Sequence, residues 1–503
     1  MEDAGSIPAG LPFLERDLPQ WRRIRSGMPG PELIAAAADR RAAGDWRGAA
    51  ALLPVHIDVD LAAVRAQYGA EAADALEDDL QHLCLDLLWW HLPRHRGGMT
   101  TLQAQVAAVL APPAGADTAP LVRIRLPRSP TGPQRLELDV RGFAELEYER
   151  WYLAPRHTWD VRRTDELSSA WISPQVYAML SSGDHESAWR ACGITLPEGE
   201  EIELQRPTAA PTSPVGVAEQ ARAAGAAFGV RRVATLFGAY LNLDLPDLTA
   251  EASYPGEWME VPVRIPTGTV PPDLALLSAG LMTPADLHPL IRSALFSDPS
   301  GGPALSGSAP ASGHFRVRCG ADWHRLSIAK GALQLHEHDE TEQRREAALR
   351  SLGGASGGCY AAEAAWRTGE GRLPRALREH RRAVVERLQH GDTPYLLEGL
   401  AAGTIDPLMR AGNGWTLLHM VMWLDWEKAL EPVLATGLPI DVPDRIGRTP
   451  LYVGVMNGAD PGLLRRLVAA GANPRAATVH GTTPQTIAHS RGHSRDLQFL
   501  HEE

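Results

Sequence analysis

The side chains in this sequence that are best suited to chemistry are histidines that lie beside carboxylates. The densest group is LHEHDETE (335–342), where His336 and His338 would share one face of a strand and could bind a metal ion. The same stretch lies where a strand pattern changes to a helix pattern, and Asp339 and Glu342 are typical of the first turn of such a helix. We therefore expect a solvated strand-to-helix junction, with a metal site as the alternative.

A second group of histidines lies in HLCLDLLWWHLPRHR (82–96). His91 and His95 have the spacing of two ligands on one helical face, but Pro93 lies between them and interrupts the helix. Together with His82, these residues indicate the apolar end of a helix with polar flanks rather than a zinc site.

Other signatures of catalysis or cofactor binding are weak. No nucleophile elbow, phosphate-binding loop, HExxH motif or dinucleotide fingerprint occurs in a suitable sequence context. The stretch QHGDT (389–393) could suggest a phosphate or aspartate site, but it lies at a turn between two helix patterns. The cysteines form no C-x-x-C pair, and we expect free thiols in a reducing compartment. They are Cys84, Cys192, Cys319 and Cys359. We therefore predict no catalytic residues, no cofactor and no metal.

Charge and hydropathy restrict the partners and the compartment. The chain has 503 residues, with 49 Lys and Arg against 61 Asp and Glu, and a net charge of −12. An acidic balance argues against nucleic acid, and the Arg-rich stretch 375–387 is interleaved with Glu and offers no aromatic platform. No apolar run reaches the roughly 18 residues of a membrane span. Because nearly all cations are arginine and no signal peptide is visible, we expect a bacterial cytoplasmic protein.

The elements that must position these side chains divide into five stretches. A Pro, Gly and Ser-rich tract indicates a linker between two larger parts. The predicted division is a helical region at 1–112, a mixed α+β region with a second α-hairpin at 113–297, a flexible linker at 298–313, a small β-meander plus helix at 314–378, and helical repeats at 379–503.

Two stretches before the linker predict the same α-hairpin. Residues 32–58 and 175–197 each contain a helix pattern, a Gly-Asp pair and a second helix pattern. The pairs are Gly44-Asp45 and Gly183-Asp184, and a Trp follows each of them. We interpret them as two copies of one module, with chance similarity in an Ala-rich chain as the alternative.

Alternating apolar and polar residues predict strands in three places. Residues 121–153 indicate half-buried antiparallel strands, and EWMEVPVRIP (257–266) indicates another. After the linker, residues 314–339 predict a three-stranded meander, followed by a helix whose N-cap is Asp339.

The C-terminal quarter contains a repeated sequence pattern whose period is close to the length of one helix pair. GWTLLHMV, GRTPLYVG and GTTPQTIA begin at Gly414, Gly447 and Gly481, which are 33 and 34 residues apart. In the second copy Thr449 can cap a helix, and Pro450 fits the first helical turn. A single such unit cannot bury its apolar face, so units of this kind stack.

This pattern resembles the ankyrin repeat, whose units begin with G-x-T-P-L-H. The resemblance covers roughly residues 379–503, and 381–410 would be a divergent first unit that acts as a cap. The units depart from the family at Leu417, where Pro is usual, at Tyr452, where His is usual, and at Gln485-Thr486. The expected fold class is an α+β N-terminal region followed by an α-helical ankyrin-repeat solenoid.

Ankyrin proteins usually bind partners through their turn tips and the exposed side of their first helices. We call the matching residues here the predicted partner surface: Trp415, Met420, Trp423, Leu424, Arg445, Ile446 and Arg448. Aromatic and Arg side chains favour interfaces. The resemblance therefore implies a protein partner, and packing against this chain's own N-terminal part is the alternative.

The predicted function is that of a non-enzymatic, protein-binding protein. One alternative is an enzyme or toxin-like effector in residues 1–297, with the repeats as a regulatory module. A deep polar pocket there, with two or more buried titratable groups, would favour that alternative. Another is an immunity or inhibitor protein that masks a toxin.

Overall fold

The computed structural model divides the chain into two compact units, each of which is discontinuous in sequence. Unit 1 comprises residues 1–127 and 135–307, and unit 2 comprises 128–134 and 308–503. The residues described are 11, 13–95, 99–112, 120–146, 150–197, 213–236, 241–252, 261–266, 270–296, 314–352, 357–490 and 497–500. The predicted linker, 298–313, lies outside them, and the five-part division stays a prediction.

Unit 1 is mostly helical, and its helices are short. They are α1 Leu18–Ser26, α2 Pro31–Ala42, α3 Trp46–Ala50, α4 Leu61–Tyr68, α5 Ala70–His82, α6 Leu85–His91, α7 Leu167–Trp171, α8 Pro174–Ser181, α9 His185–Ala191, α10 Val217–Phe228, α11 Pro272–Ser278 and α12 Pro289–Leu295. Short 3-10 helices lie at Glu15–Asp17, Phe143–Leu146, Arg156–Thr158, Val161–Glu166 and Pro284–Asp286.

Two mixed sheets lie among these helices. Their strands are β1 Val55–Asp58, β2 Ala107–Leu110, β3 Leu121–Arg125, β4 Leu136–Arg141, β5 Trp151–Ala154, β6 Arg232–Leu236, β7 Leu241–Asp244, β8 Thr249–Ala252 and β9 Arg264–Pro266. The strand orders are β1-β4-β3-β2-β5 and β8-β7-β6-β9. In each sheet the central strands pair in antiparallel fashion, and a strand at an edge pairs in parallel with its neighbour. The parallel pairs are β1 with β4, β5 with β2, and β9 with β6.

The strands of unit 1 come from both sides of residue 112, where the predicted helical region ends. Strands β1 and β2 come from the stretch expected to be helical, and they complete the sheet that β3, β4 and β5 form. The predicted antiparallel pairing holds for β3 and β4, but β5 runs parallel to β2. Parallel partners are joined by long connections, so local alternation of residue types does not reveal them.

The two predicted α-hairpins are both present. In α2–α3 and α8–α9 the turn glycines, Gly44 and Gly183, have φ of +76° and +84°, which only glycine adopts without strain. Asp45 then accepts a hydrogen bond from the Gly48 amide, and Asp184 accepts one from the Ser187 amide. The Gly-Asp pair thus ends one helix and caps the next in both copies.

Unit 2 combines an antiparallel sheet with helix pairs. Its strands are β10 His314–Cys319, β11 Asp322–Ala329 and β12 Ala332–Leu335, and they form the predicted meander in the order β10-β11-β12. Its helices are α13 Glu340–Ser351, α14 Gly358–Thr368, α15 Arg375–Gln389, α16 Thr393–Ala401, α17 Leu417–Met420, α18 Trp426–Leu434, α19 Pro450–Asn457, α20 Pro461–Ala469 and α21 Pro484–Ser490, with 3-10 helices at Val421–Trp423 and Gln498–Leu500.

The predicted ankyrin-repeat solenoid is wrong, because the helix pairs form no clear solenoid. In a solenoid each repeat packs only on its neighbours. Here α17 has four residues and continues as a 3-10 turn. The sheet residues, α14 and the helix pairs also share one hydrophobic core, which includes Phe315, Trp366 and Leu451. The short run of pairs is therefore one part of a mixed domain.

Among the described helices, none is both long enough and apolar enough to cross a bilayer.

Candidate functional site

Most of the predicted partner surface is buried. Trp415, Met420, Trp423 and Leu424 are at most 7% exposed and belong to the core of unit 2. The Trp415 indole N–H donates to Asp444 over 3.2 Å, and its ring lies 5.6 Å from that of Trp423. These side chains are therefore packed within the core of unit 2. Their role in binding a partner stays untested.

Trp423 contacts a segment that is remote in sequence. Residues 128–134, RSPTGPQ, belong to unit 2, and the Trp423 indole N–H donates to the Thr131 carbonyl over 2.8 Å. The hydroxyls of Ser129 and Thr131 each donate to the Asn457 side-chain oxygen over 2.8 Å. The segment 128–134 thus covers the ends of two helix pairs and satisfies polar groups that would otherwise be buried without partners.

The turn tips of unit 2 are accessible. Ile446 is 38% exposed, and Val479, at the same place in the next turn, is 67% exposed. The Val479 amide donates to the Ile446 carbonyl over 3.0 Å, so the two tips lie side by side. Arg445 is partly exposed and lies 3.9 Å from Glu370. We call Arg445, Ile446 and Val479 the tip row.

A buried carboxylate fixes the shape of the tip row. Asp444 accepts hydrogen bonds from the amides of Ile446 and Arg448 at 3.0 and 2.9 Å, and from the Arg448 guanidinium at 2.7 Å. Arg448, the last residue of the predicted partner surface, is thereby used within the turn. Val479 is not part of the predicted partner surface, although its spacing of 33 residues from Ile446 matches one repeat.

The sheet of unit 2 brings together four side chains that the sequence analysis did not connect. One donor atom from each of Cys319, His324, His338 and Cys359 lies within 4.8 Å of the corresponding atom of the other three. We call this group the Cys–His cluster. Cys319 ends β10, His324 lies on β11, His338 follows β12, and Cys359 lies in the first turn of α14.

The fold explains this convergence. The tight β10–β11 turn, in which Gly320 has φ of +65°, pairs Cys319 with Asp322 and Val317 with His324. Cys319 and His324 therefore lie on the same face of the hairpin, and this is the face that packs into the core. Burial, together with the adjacent sulfur of Cys319, raises the pKa of Cys359 to about 12.

Hydrogen bonds orient the imidazole of His338. Its Nδ1 faces the Glu342 carboxylate at 3.3 Å, and Nδ1 must carry hydrogen to donate there. Its Nε2 faces the cluster, 2.9 Å from His324 Nδ1 and 3.7 Å from Cys319 Sγ. The lone pair of Nε2 is therefore directed at the other three donors.

A second buried group lies in unit 1, and we call it the Asp86 network. It comprises Cys84, Asp86, His288 and Arg41. The Arg41 guanidinium lies 2.8 Å from the Asp86 carboxylate, and His288 Nε2 lies 3.1 Å from it. Burial alone would raise the pKa of Asp86, but the hydrogen bond from His288 and the charge of Arg41 outweigh burial and lower it.

The remaining histidine and acidic candidates have local roles. His336 contacts Ser327 at 2.6 Å and does not join the Cys–His cluster. Asp339 accepts a hydrogen bond from the Glu342 amide, which confirms the predicted cap. His82 lies beside the Asp78 carbonyl, and the half-buried His91 packs its ring against Trp171. Asp392 of the QHGDT stretch caps α16.

Comparison with known proteins finds a partial similarity. The chain is 30% identical over 114 residues to calmodulin-binding transcription activator 3 of Arabidopsis thaliana, a protein that contains ankyrin repeats. The match covers 22% of this chain and only 11% of that protein. No family model matches the chain.

Proposed function

We propose that this chain is a non-enzymatic bacterial cytoplasmic protein that binds a protein partner through the tip row of unit 2. The observation that carries the proposal is the pair of exposed aliphatic side chains on adjacent hydrogen-bonded tips, Ile446 and Val479. Exposed apolar side chains that lie together mark interaction surfaces more often than isolated ones do. Arg445 beside them favours a partner that presents an apolar patch next to carboxylates.

The similarity to an ankyrin-containing protein supports this proposal. We infer that the helix pairs of unit 2 are divergent relatives of ankyrin repeats, built into a mixed domain. The period of 33 and 34 residues, the Thr449 cap and the exposed tips agree with that relationship. Calmodulin binding and transcription activation are named for that protein alone. The match is too short to assign either activity to this chain.

The arrangement of unit 1 favours binding over catalysis. In the Asp86 network the carboxylate is already paired with both Arg41 and His288. A cavity of about 350 Å³ in the described part of unit 1 is lined by Arg222, Gly225, Ala226, Val230, Arg231, Leu245 and Pro246. Members of the Asp86 network are absent from that lining, so a substrate there would not reach them.

The test is affinity capture from the host with the full-length chain, followed by mass spectrometry. The tip variant carries Ile446→Asp together with Val479→Asp, which places two charges on the apolar tips. The matched control is Leu352→Asp, because Leu352 is an equally apolar side chain of unit 2 that is 84% exposed and lies outside the tip row. Circular dichroism confirms that the three proteins are folded.

We expect one partner that wild type and Leu352→Asp retain and that the tip variant loses by at least tenfold. The same ratio must then appear in the Kd of the purified pair. Equal capture by all three proteins would show that the tip row does not bind the partner. Capture of nothing above an untagged control would contradict the proposed function itself.

A further inference from the structure

We propose that the Cys–His cluster of unit 2 is a structural zinc site, with Cys319, His324, His338 and Cys359 as the four ligands of one Zn²⁺ ion. Two thiolates and two imidazoles form a closed tetrahedral ligand set that proteins use for structural zinc. All four donor atoms lie within 4.8 Å of one another, which suits a single ion, and Ca²⁺ or Mg²⁺ would need oxygen ligands.

The distances fit such an ion. With Zn–S near 2.3 Å and Zn–N near 2.1 Å, the ligand atoms of a tetrahedral site lie about 3.3–3.8 Å apart. The Cys319 Sγ to His338 Nε2 distance is 3.7 Å, and all four donor atoms lie within 4.8 Å of one another. The His324 Nδ1 to His338 Nε2 distance of 2.9 Å would widen by about 0.4 Å around the ion.

The polarity of the donors also fits a cation. The Nδ1–H of His338 donates to the Glu342 carboxylate, so the lone pair of Nε2 points into the cluster. A carboxylate that holds the outer nitrogen of a metal-bound histidine is a common feature of zinc sites, because it fixes the tautomer and the ring orientation. The Tyr360 ring, 4.6 Å from that of His338, restricts the imidazole further.

The backbone permits the approach that a shared ion needs. Gly358 has φ of +55°, and a Cβ at this position would lie 2.5 Å from Cys319 Sγ. Glycine therefore allows the start of α14 to come close to the end of β10. Cys359 lies in the first turn of this helix, so the same close approach brings its sulfur within 4.8 Å of the Cys319 sulfur.

The role of the ion would be to join the sheet to the helices. The ligands come from both sides of the β10–β11 turn, from the end of β12 and from α14. Because the chain supplies four ligands, no position is left for a water or a substrate, as is typical of structural rather than catalytic zinc.

The first experiment measures metal content of the untagged full-length chain by plasma mass spectrometry after dialysis. We expect about one zinc per wild-type chain and at least a tenfold loss when Cys319→Ser and Cys359→Ser are combined. The matched control is Cys192→Ser, which removes a free thiol of unit 1 and should retain the metal.

A second measurement does not depend on the variant being folded. Wild-type chain is titrated with a mercurial reagent in the presence of a zinc-binding dye, and the release of zinc should follow the modification of about two thiols per ion. Reconstitution with Co²⁺ should give the visible absorption of a tetrahedral thiolate site.

Three results would overturn the proposal. One is equal zinc in wild type and the folded double variant, which would mean an adventitious ion only. Another is wild-type chain that takes up neither Zn²⁺ nor Co²⁺ under reducing conditions. The third is a Cys319–Cys359 disulfide in the native chain.

Discussion

The Cys–His cluster of unit 2 and the Asp86 network of unit 1 contain similar residue types, but their histidines carry the imidazole hydrogen on opposite ring nitrogens. In the Asp86 network the Leu290 amide donates to His288 Nδ1, so Nε2 must carry the hydrogen that points at Asp86. In the Cys–His cluster the outer nitrogen of His338 donates, and the inner nitrogen offers a lone pair.

The two groups also differ in the cation that each can use. Arg41 already supplies a positive charge to Asp86 from within unit 1. In the Cys–His cluster the inward groups are thiols and imidazoles, and the described side chains that make it up include no fixed cation. The difference shows that residue types alone do not define a metal site, because the hydrogen positions decide whether lone pairs converge.

The largest expected difference between the two groups is their response to a chelator. Removing zinc from the full-length chain should lower the thermal midpoint of unfolding by about 10 °C or more, because metal binding contributes to folding. It should also make the partly exposed Cys319 reactive towards a thiol reagent. Cys84 should stay unreactive, since burial raises its pKa and encloses it.

Calorimetry and timed thiol labelling with peptide mapping measure both effects. The control is the variant with Cys319→Ser and Cys359→Ser, which should not respond to the chelator. An unchanged midpoint, with Cys84 labelled as fast as Cys319, would remove the distinction between the two groups.

A substitution in the Asp86 network should destabilise the folded chain somewhat less than removal of zinc does. It should leave the zinc content unchanged. Asp86→Asn removes the charge that balances the buried Arg41, and breaking such a buried pair costs about 3–5 kcal/mol. Urea unfolding gives the free energy. Asp78→Asn is the control, because its carboxylate is 55% exposed and its ion pair with Arg162 is worth about 1 kcal/mol or less. Zinc content that falls with Asp86→Asn would show that the two groups are not independent.

The contribution of Asp86 should also depend on pH. Its pKa is lowered in the folded protein, so its stabilisation is complete above the unfolded pKa of about 4 and is lost as the pH falls through the lower folded pKa. The difference in unfolding free energy between wild type and Asp86→Asn should therefore be constant from pH 7 to about pH 5 and shrink below about pH 4. A difference that grows with acid would contradict the assigned direction.

The smallest effect is expected at the carboxylate that orients His338. Glu342→Gln should keep one zinc per chain but weaken its binding about 10-fold to 100-fold, since such outer partners tune the ligand without touching the metal. Competition with a chelator of known affinity measures this ratio. Glu340→Gln is the matched control, because Glu340 lies in the same helical turn, is 83% exposed and contacts Arg344. Equal affinities for both variants would assign Glu342 only a capping role.

Local patterns in the sequence predicted much of the fold. The Gly-Asp pairs specify both α-hairpins because a glycine with positive φ and an N-cap aspartate act within a few residues. The β10–β12 meander follows from alternation and from the Gly320 turn. Strand β1 and the parallel pairing of the predicted strands β5 and β9 were not predictable, since their partners are distant along the chain.

The candidate site was less predictable. His338 was noticed beside its acidic neighbours, but its co-ligands are spread from Cys319 to Cys359 without a short motif. Only the register of the hairpin and the docking of α14 bring them together. Trp423 was assigned to the predicted partner surface, and its acceptor, the Thr131 carbonyl, lies 292 residues earlier in the chain.

The segment 128–134 has a consequence for any attempt to divide the chain. A single cleavage between Phe296 and His314 would leave this seven-residue stretch on the N-terminal fragment. The C-terminal fragment would then lack the carbonyl for Trp423 and the two hydroxyls for Asn457. The cut chain would therefore be a case for fragment complementation, in which the peptide RSPTGPQ restores in trans what the intact polypeptide supplies through its own connectivity.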